Sequence, residues 1–261
     1  MKKILNLLLL LTLPLLVNGQ ISDNMFENTP SWREEFSKSG HPSESNWILS
    51  KWQNTEQVAV FNSQSLDNVF VKRRKLNLRA RKVKGQDHLY ETGRLESAAH
   101  VKFRYGKLQV RAKCPTASGC WDAIWMRPLK SKSKVKGEID IMEYFSGWKG
   151  KKFQTNFHFW GEFGGKKHNH VQYPKYINAD VNKWHVYTLE WSPTELRVKM
   201  DDIVCYDLKK GGLSEWPWDE YYQLILALAY GRKSELKTLD DSALPQTLQV
   251  DWVRYYKYKE Q

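Results

Sequence analysis

Short runs of alternating apolar and polar residues, with no sustained 3.6-residue period, constrain this chain more than any other feature. In Lys75-Leu76-Asn77-Leu78-Arg79-Ala80 the leucines alternate with polar neighbours, as on a half-buried strand. Residues 101–113 show the same alternation twice around Tyr105-Gly106. Residues 184–191 and 196–200 form further strand patterns separated by Ser192-Pro193. Asp201-Asp202 marks a hairpin turn into Ile203-Val204-Cys205-Tyr206. Residues 224–229 are continuously apolar and read as a strand buried on both faces. Residues 248–256 supply a last strand. Many short strands at regular spacing predict an all-β sandwich of two antiparallel sheets.

The N-terminus follows a different logic. Met1-Lys2-Lys3 precedes an apolar run over residues 4–17, and small Gly19 follows. That run is too short to span a bilayer, and the pattern reads as a signal peptide over residues 1–19. Residues 20–261 then form a single domain, because no linker, repeat or low-complexity tract divides them. No transmembrane segment is expected, and neither is a lipid anchor. The chain is expected to be exported, to the periplasm, cell surface or medium, and to act as a monomer. Three cysteines lack metal-ligand spacing. In an oxidising compartment Cys114 and Cys120 are positioned to close a short loop, leaving Cys205 as the odd thiol.

Charge and aromatic content narrow the partner. The net charge is +12, or 12 − 2 = +10 once Lys2 and Lys3 are removed. Such a field favours acidic glycans, nucleic acids or anionic surfaces. The basic residues are scattered, without the Arg/Lys stripe interleaved with aromatics that a nucleic-acid binder needs, so nucleic acid is not an expected partner. Twelve Trp, thirteen Tyr and ten Phe give many flat apolar faces. Such faces stack on sugar rings, which points to a polysaccharide or glycoprotein glycan.

The sharpest cluster is Gly137-Glu138-Ile139-Asp140-Ile141-Met142-Glu143. On a strand, Glu138 and Asp140 share one face, while Ile139 and Ile141 anchor the other in the core. Glu143 has the wrong parity for a regular strand, and one β-bulge near Met142 returns it to the acid face. Four steps of ~3.3 Å separate the two glutamates by about 13 Å of backbone. Long side chains leaning together close this towards the ~5–5.5 Å of a retaining glycosidase. Packed acids also push each other's pKa values apart, as a nucleophile and a proton donor require. Glu138 is assigned as nucleophile, Glu143 as general acid/base and Asp140 as the residue that orients Glu138. Spacing alone leaves a solvated acidic strand face and a calcium site as open alternatives.

The same segment resembles the signature of glycoside hydrolase family 16, in the laminarinase-like group with the bulged E-x-D-x-x-E form. Trp52-Gln53-Asn54-Thr55-Glu56, Thr92-Gly93-Arg94-Leu95, residues 105–113, residues 184–191 and Val250-Asp251-Trp252-Val253-Arg254 are similar to other segments of that family. The resemblance implies a jelly-roll β-sandwich with a groove on its concave sheet, and retaining cleavage of internal β-1,3 or β-1,4 bonds without a catalytic cofactor. It carries over Glu138, Asp140 and Glu143 in the roles given. Trp121 and Trp125 take the places of groove tryptophans. Asn54 and Arg94 take those of hydrogen-bond donors on the non-reducing side. His158 aligns with a family histidine that faces the catalytic centre, and Trp160 is expected near it. Asp251 matches a position that holds structural calcium in some members.

Two segments depart from the family pattern. Cys120-Trp121-Asp122-Ala123-Ile124-Trp125 replaces the usual Leu-Trp-Pro-Ala-Phe-Trp. Tyr230-Gly231-Arg232-Lys233 replaces an Asn and Trp run, making Tyr230 and Arg232 candidate substrate contacts in an altered groove that also includes Asp122. With the basic charge, these departures favour galactose-containing glycans of the poly-N-acetyllactosamine, keratan or mucin O-glycan type. A β-1,3 or mixed-linkage glucan is the alternative substrate, and a non-catalytic carbohydrate-binding protein the alternative class.

Overall fold

The computed structural model describes residues 21–53, 55–148 and 152–259. The signal-peptide reading of residues 1–19 and the Asn54 contact lie outside these residues. Two sheets face each other. Across one, the strands run Ile203–Lys209, Glu195–Met200, His185–Trp191, Gly106–Lys113, Gln246–Tyr256, Lys75–Lys82, Tyr90–Thr92, Val60–Asn62 and Lys51–Gln53. Across the other they run Lys166–Gln172, Lys152–Phe163, Val135–Phe145, Cys120–Pro128, Tyr222–Tyr230, Arg94–Ser97 and Trp47–Ile48. Among the described residues every strand pairing is antiparallel except that of Val60–Asn62 with Tyr90–Thr92. The predicted all-β sandwich is therefore what the chain forms.

Alternation builds the interior. In Cys120–Pro128, Cys120, Asp122, Ile124 and Met126 are fully buried, while Trp121 and Trp125 keep partial exposure on the opposite face. Leu224, Leu226 and Leu228 meet Ile124, Ile139, Leu108, Val110 and Leu189 in one continuous hydrophobic cluster. Each such side chain contributes roughly 1.5–3 kcal/mol by leaving water, which fixes which face of each strand is left for the groove. The Asp201-Asp202 turn joins its two strands as predicted, with Asp201 at φ +54°. The alternation over residues 101–105 does not become a strand. Phe103 makes an isolated bridge to Tyr222, and Tyr105 and Gly106 take positive φ where the strand Gly106–Lys113 begins. Cys114 and Cys120 are separate buried thiols within the core cluster, so the short disulfide loop is not formed.

Candidate active site

The strand Val135–Phe145 carries the three acids, and its pairings contain the bulge that Glu143 requires. Against Cys120–Pro128, Trp125 lies opposite Asp140 and Ile124 opposite Met142, which leaves Ile141 without a partner. Against Lys152–Phe163, Asp140 faces Asn156 and Glu143 faces Gln154, three steps on one strand for two on the other. Ile139, Ile141 and Met142 are all fully buried in the core. The extra residue turns the following side chain over, so Glu138, Asp140 and Glu143 line one groove section of about 200 Å³.

Each acid sits opposite a polar residue of the neighbouring strand: Glu138 opposite His158, Asp140 opposite Asn156, Glu143 opposite Gln154. Glu143 accepts from Trp121 Nε1 and from Gln154 Nε2, both at 3.2 Å. His158 Nε2 lies 2.9 Å from Asp140 Oδ2, off hydrogen-bond alignment. Its Nδ1 is 3.0 Å from His170 Nε2. The backbone is held as firmly as the side chains. Trp218 Nε1 donates to the Glu138 carbonyl at 3.1 Å, and Thr155 Oγ1 to the Asp140 carbonyl at 2.8 Å.

Burial is the first cause of the electrostatics here. It pushes Glu138 up to about 8, with Asp140 and Glu143 raising it further and His158 and Arg127 opposing them. Burial, then the Glu143 charge, pushes Asp140 well above the ordinary carboxylate range. Burial also raises Glu143, against the donor Trp121, the charges of His158 and Arg232, and the donor Gln154. Three acids with too little water to ionise together must hold protons between them. A site that stores a proton next to a carboxylate is what acid-assisted glycosyl transfer needs.

Aromatic rings form the walls. Trp121 stacks on Phe145 at 5.1 Å, with Arg232 over both rings. Farther along, Trp52 is 47% exposed and stacks on Phe61 at 5.7 Å and 3°. Arg94 is inserted between Trp52 and Trp125, 5.0 and 5.6 Å from their rings. Its Nη1 pairs with Glu96 at 2.7 Å, and burial brings its pKa down to about 10. Arg94 thus lines the groove mainly as a buried spacer between the tryptophans. On the other side of the acids, His158 and Trp160 line an adjoining depression.

Three sequence-based expectations are corrected. Tyr230 is 1% exposed and faces the core opposite Cys120, its ring 5.3 Å from Tyr90, so it does not enter the groove. Asp122 also points inward, fully buried, and burial pushes its pKa well up. It therefore does not belong to the altered groove wall. Asp251 pairs with Arg111 and, at 3.5 Å, with Lys75. Calcium takes six to eight oxygen ligands, and a carboxylate already holding two cations does not fit it. Sequence reading did not single out Phe61, Trp52 or Arg127. It also passed over Gln154 and Asn156, although their parity with His158 placed them on the acid face.

A model described as Glycosyl hydrolases family 16 matches residues 53–254. The Beta-glucanase of Rhodothermus marinus is 29% identical over 88% of this chain and 85% of its own length. A Keratan-sulfate endo-1,4-beta-galactosidase of Sphingobacterium multivorum is 28% identical over 87% of this chain, which spans about half of that protein, 54%. The solved structure of the laminarinase from Rhodothermus marinus superposes with a TM-score of 0.79, covering 90% of this chain and 100% of that one at 24% identity, a likeness of fold. The matched residues take in the bulged acid strand, all of the groove wall but Trp52, and most strands of both sheets, and the chain belongs to glycosyl hydrolases family 16.

Proposed function

We propose that this protein is a retaining endo-β-glycoside hydrolase. The observation that carries the reading is the bulged strand that sets Glu138, Asp140 and Glu143 together on the floor of an aromatic groove. Glu143 protonates the glycosidic oxygen as Glu138 attacks the anomeric carbon. The bond to the leaving sugar breaks, and a glycosyl ester on Glu138 forms. Glu143, now ionised, takes a proton from water, which attacks the ester and frees Glu138. The two N–H donors on Glu143 stabilise the charge it carries at that second stage. Among the described residues Glu138 has no such donors, and its ionisation draws on the charges of His158 and Arg127. The division of roles rests on the resemblance of the segment to the E-x-D-x-x-E form, since in the free site Glu143 is the better compensated carboxylate.

The favoured substrate is a galactose-containing glycan of the poly-N-acetyllactosamine, keratan or mucin type. The basic charge supports it, as does similarity to a keratan-sulfate galactosidase. Similarity to a β-glucanase over most of both chains supports a β-1,3 or mixed-linkage glucan as second reading. The protein is read as exported, as one catalytic domain over residues 20–261, and as a monomer.

A panel of laminarin, mixed-linkage glucan, keratan and mucin glycans with products sized by mass spectrometry reports substrate and endo action. Laminarin cleaved far faster than keratan or mucin glycans sinks the galactan reading. Azide added to alanine variants separates the roles. Glu138→Ala is expected to give the α-glycosyl azide and Glu143→Ala the β-glycosyl azide, and the reverse pattern exchanges the two.

A further inference from the structure

Beyond Glu138, on the side away from Arg94, the groove carries groups that bond cleavage does not use. Register sets Lys136 opposite Trp160, and Trp160 opposite His170. Residues directly opposite one another share a sheet face. Lys136 and His170 therefore lie on the groove face with Trp160, and His168 lines the same depression. The rings are ordered: His158 stacks on His170 at 5.2 Å and 17°, and Trp160 meets His170 edge-on at 6.4 Å. Glu138, His158, Trp160, Gly161, His168, Asn169 and His170 line a depression of about 520 Å³.

The basic groups of this corner stand at its outer end and the acids at its inner end. Lys136, His168 and His170 are exposed, and among the described residues Lys136 makes no ion pair. The nearby acids among the described residues are Glu138, at the inner end, Asp140, 2.9 Å from His158, and Glu162, which is paired with Lys134 at 3.0 Å. Lys136 is two residues from Glu138, about 7 Å along the strand. An anion beside Lys136 stands at the end of the depression away from Glu138. The imidazoles add N–H donors around it, and the indole supplies an apolar face for the ring that bears it.

We infer that this depression is a leaving-group subsite for a sugar bearing a sulfate ester, with Trp160 against the ring and Lys136, His168 and His170 holding the ester. The inference rests on the proposed hydrolase reading and names what its substrate carries. An ion pair of this kind, partly exposed, is expected to change discrimination by about tenfold.

The test compares kcat/KM on keratan sulfate and on the same chain chemically desulfated. In Lys136→Gln the ratio of sulfated to desulfated rates is expected to fall about tenfold and in Lys136→Arg to return towards the parent ratio. Laminarin and sulfated laminarin are run beside them. A parent that cuts neither keratan defeats the galactan reading, and the laminarin pair still decides the subsite. A ratio unmoved by Lys136→Gln, on whichever pair is cut, overturns the inference. A fall that Lys136→Arg does not restore also overturns it, because it marks a structural effect and not recognition of charge.

Discussion

Glu138 shows how a side chain useful for chemistry opposes folding. Its carboxyl ionises near 4.5 in the unfolded chain and, chiefly through burial, only near 8 in the folded one. The folded state therefore binds the proton more tightly. The contribution is fully present below pH 4.5 and is lost as pH rises towards 8. Glu138→Gln removes the ionisation while keeping the shape. The variant is expected to match the parent in unfolding free energy at pH 4 and exceed it by about 2–3 kcal/mol at pH 8.5, less than the full shift because the groove admits water. Denaturant unfolding at the two pH values measures this, and an equal difference at both counts against it. Asp122 poses a related problem without a role in the groove. Among the described residues neither of its oxygens has a hydrogen-bond partner, and its charge adds to the burial that raises the Cys114 and Cys120 thiols. The departure of its segment from the family pattern led to its expected place in the groove. Trp121 and Trp125 share a parity that already excludes Asp122 from their face.

At the scale of the strand, the bulge at Ile141 and the close packing of Gly137 set where the acids stand. A Cβ on Gly137 would lie 2.5 Å from Tyr222 Oη and 2.7 Å from Trp218 Nε1. That indole also holds the Glu138 carbonyl. Gly137→Ala must push the strand or the indole aside. Overpacking of this order costs about 1–3 kcal/mol, and the displacement acts one residue from the reacting carboxylate. The expected outcome is a lower Tm together with a loss of kcat of at least about tenfold. Full kcat in a merely less stable variant would show that the Trp218 contact does not position Glu138. The bulge was legible from sequence because three acids of mixed parity make sense on one face only with an extra residue. Tyr230 was not, for a physical reason. Tyr222–Tyr230 is buried at every position, and a strand buried on both faces has no alternation from which to assign a direction. Trp52 and Phe61 were also out of reach, because they arrive from strands of the other sheet and no local pattern announces the meeting.

The whole molecule adds a field to these local contacts. Its sandwich was readable because period-two patterns fix faces, and two sets of apolar faces have one economical way to leave water. The net charge of +12 says nothing of that fold, but it acts on what approaches the groove. Scattered exposed lysines attract an anionic chain over distances that salt screens, about 10 Å at 0.1 M. Short-range hydrogen bonds and ring stacking in the groove respond far less. Raising the ionic strength from about 0.02 to 0.3 M is therefore expected to lower kcat/KM on a sulfated glycan several-fold, largely through association. The rate on an uncharged chain of the same length should stay nearly constant. Steady-state rates on matched sulfated and desulfated chains, followed across the salt series, make the comparison. Equal salt slopes for the two would mean that the positive field is a solvated surface with no part in capture. The local test at Lys136 differs from this one, since a field spread over the surface survives the loss of one lysine and a subsite does not. A salt slope that persists in Lys136→Gln while the sulfate preference disappears would assign capture to the field and selection to the groove.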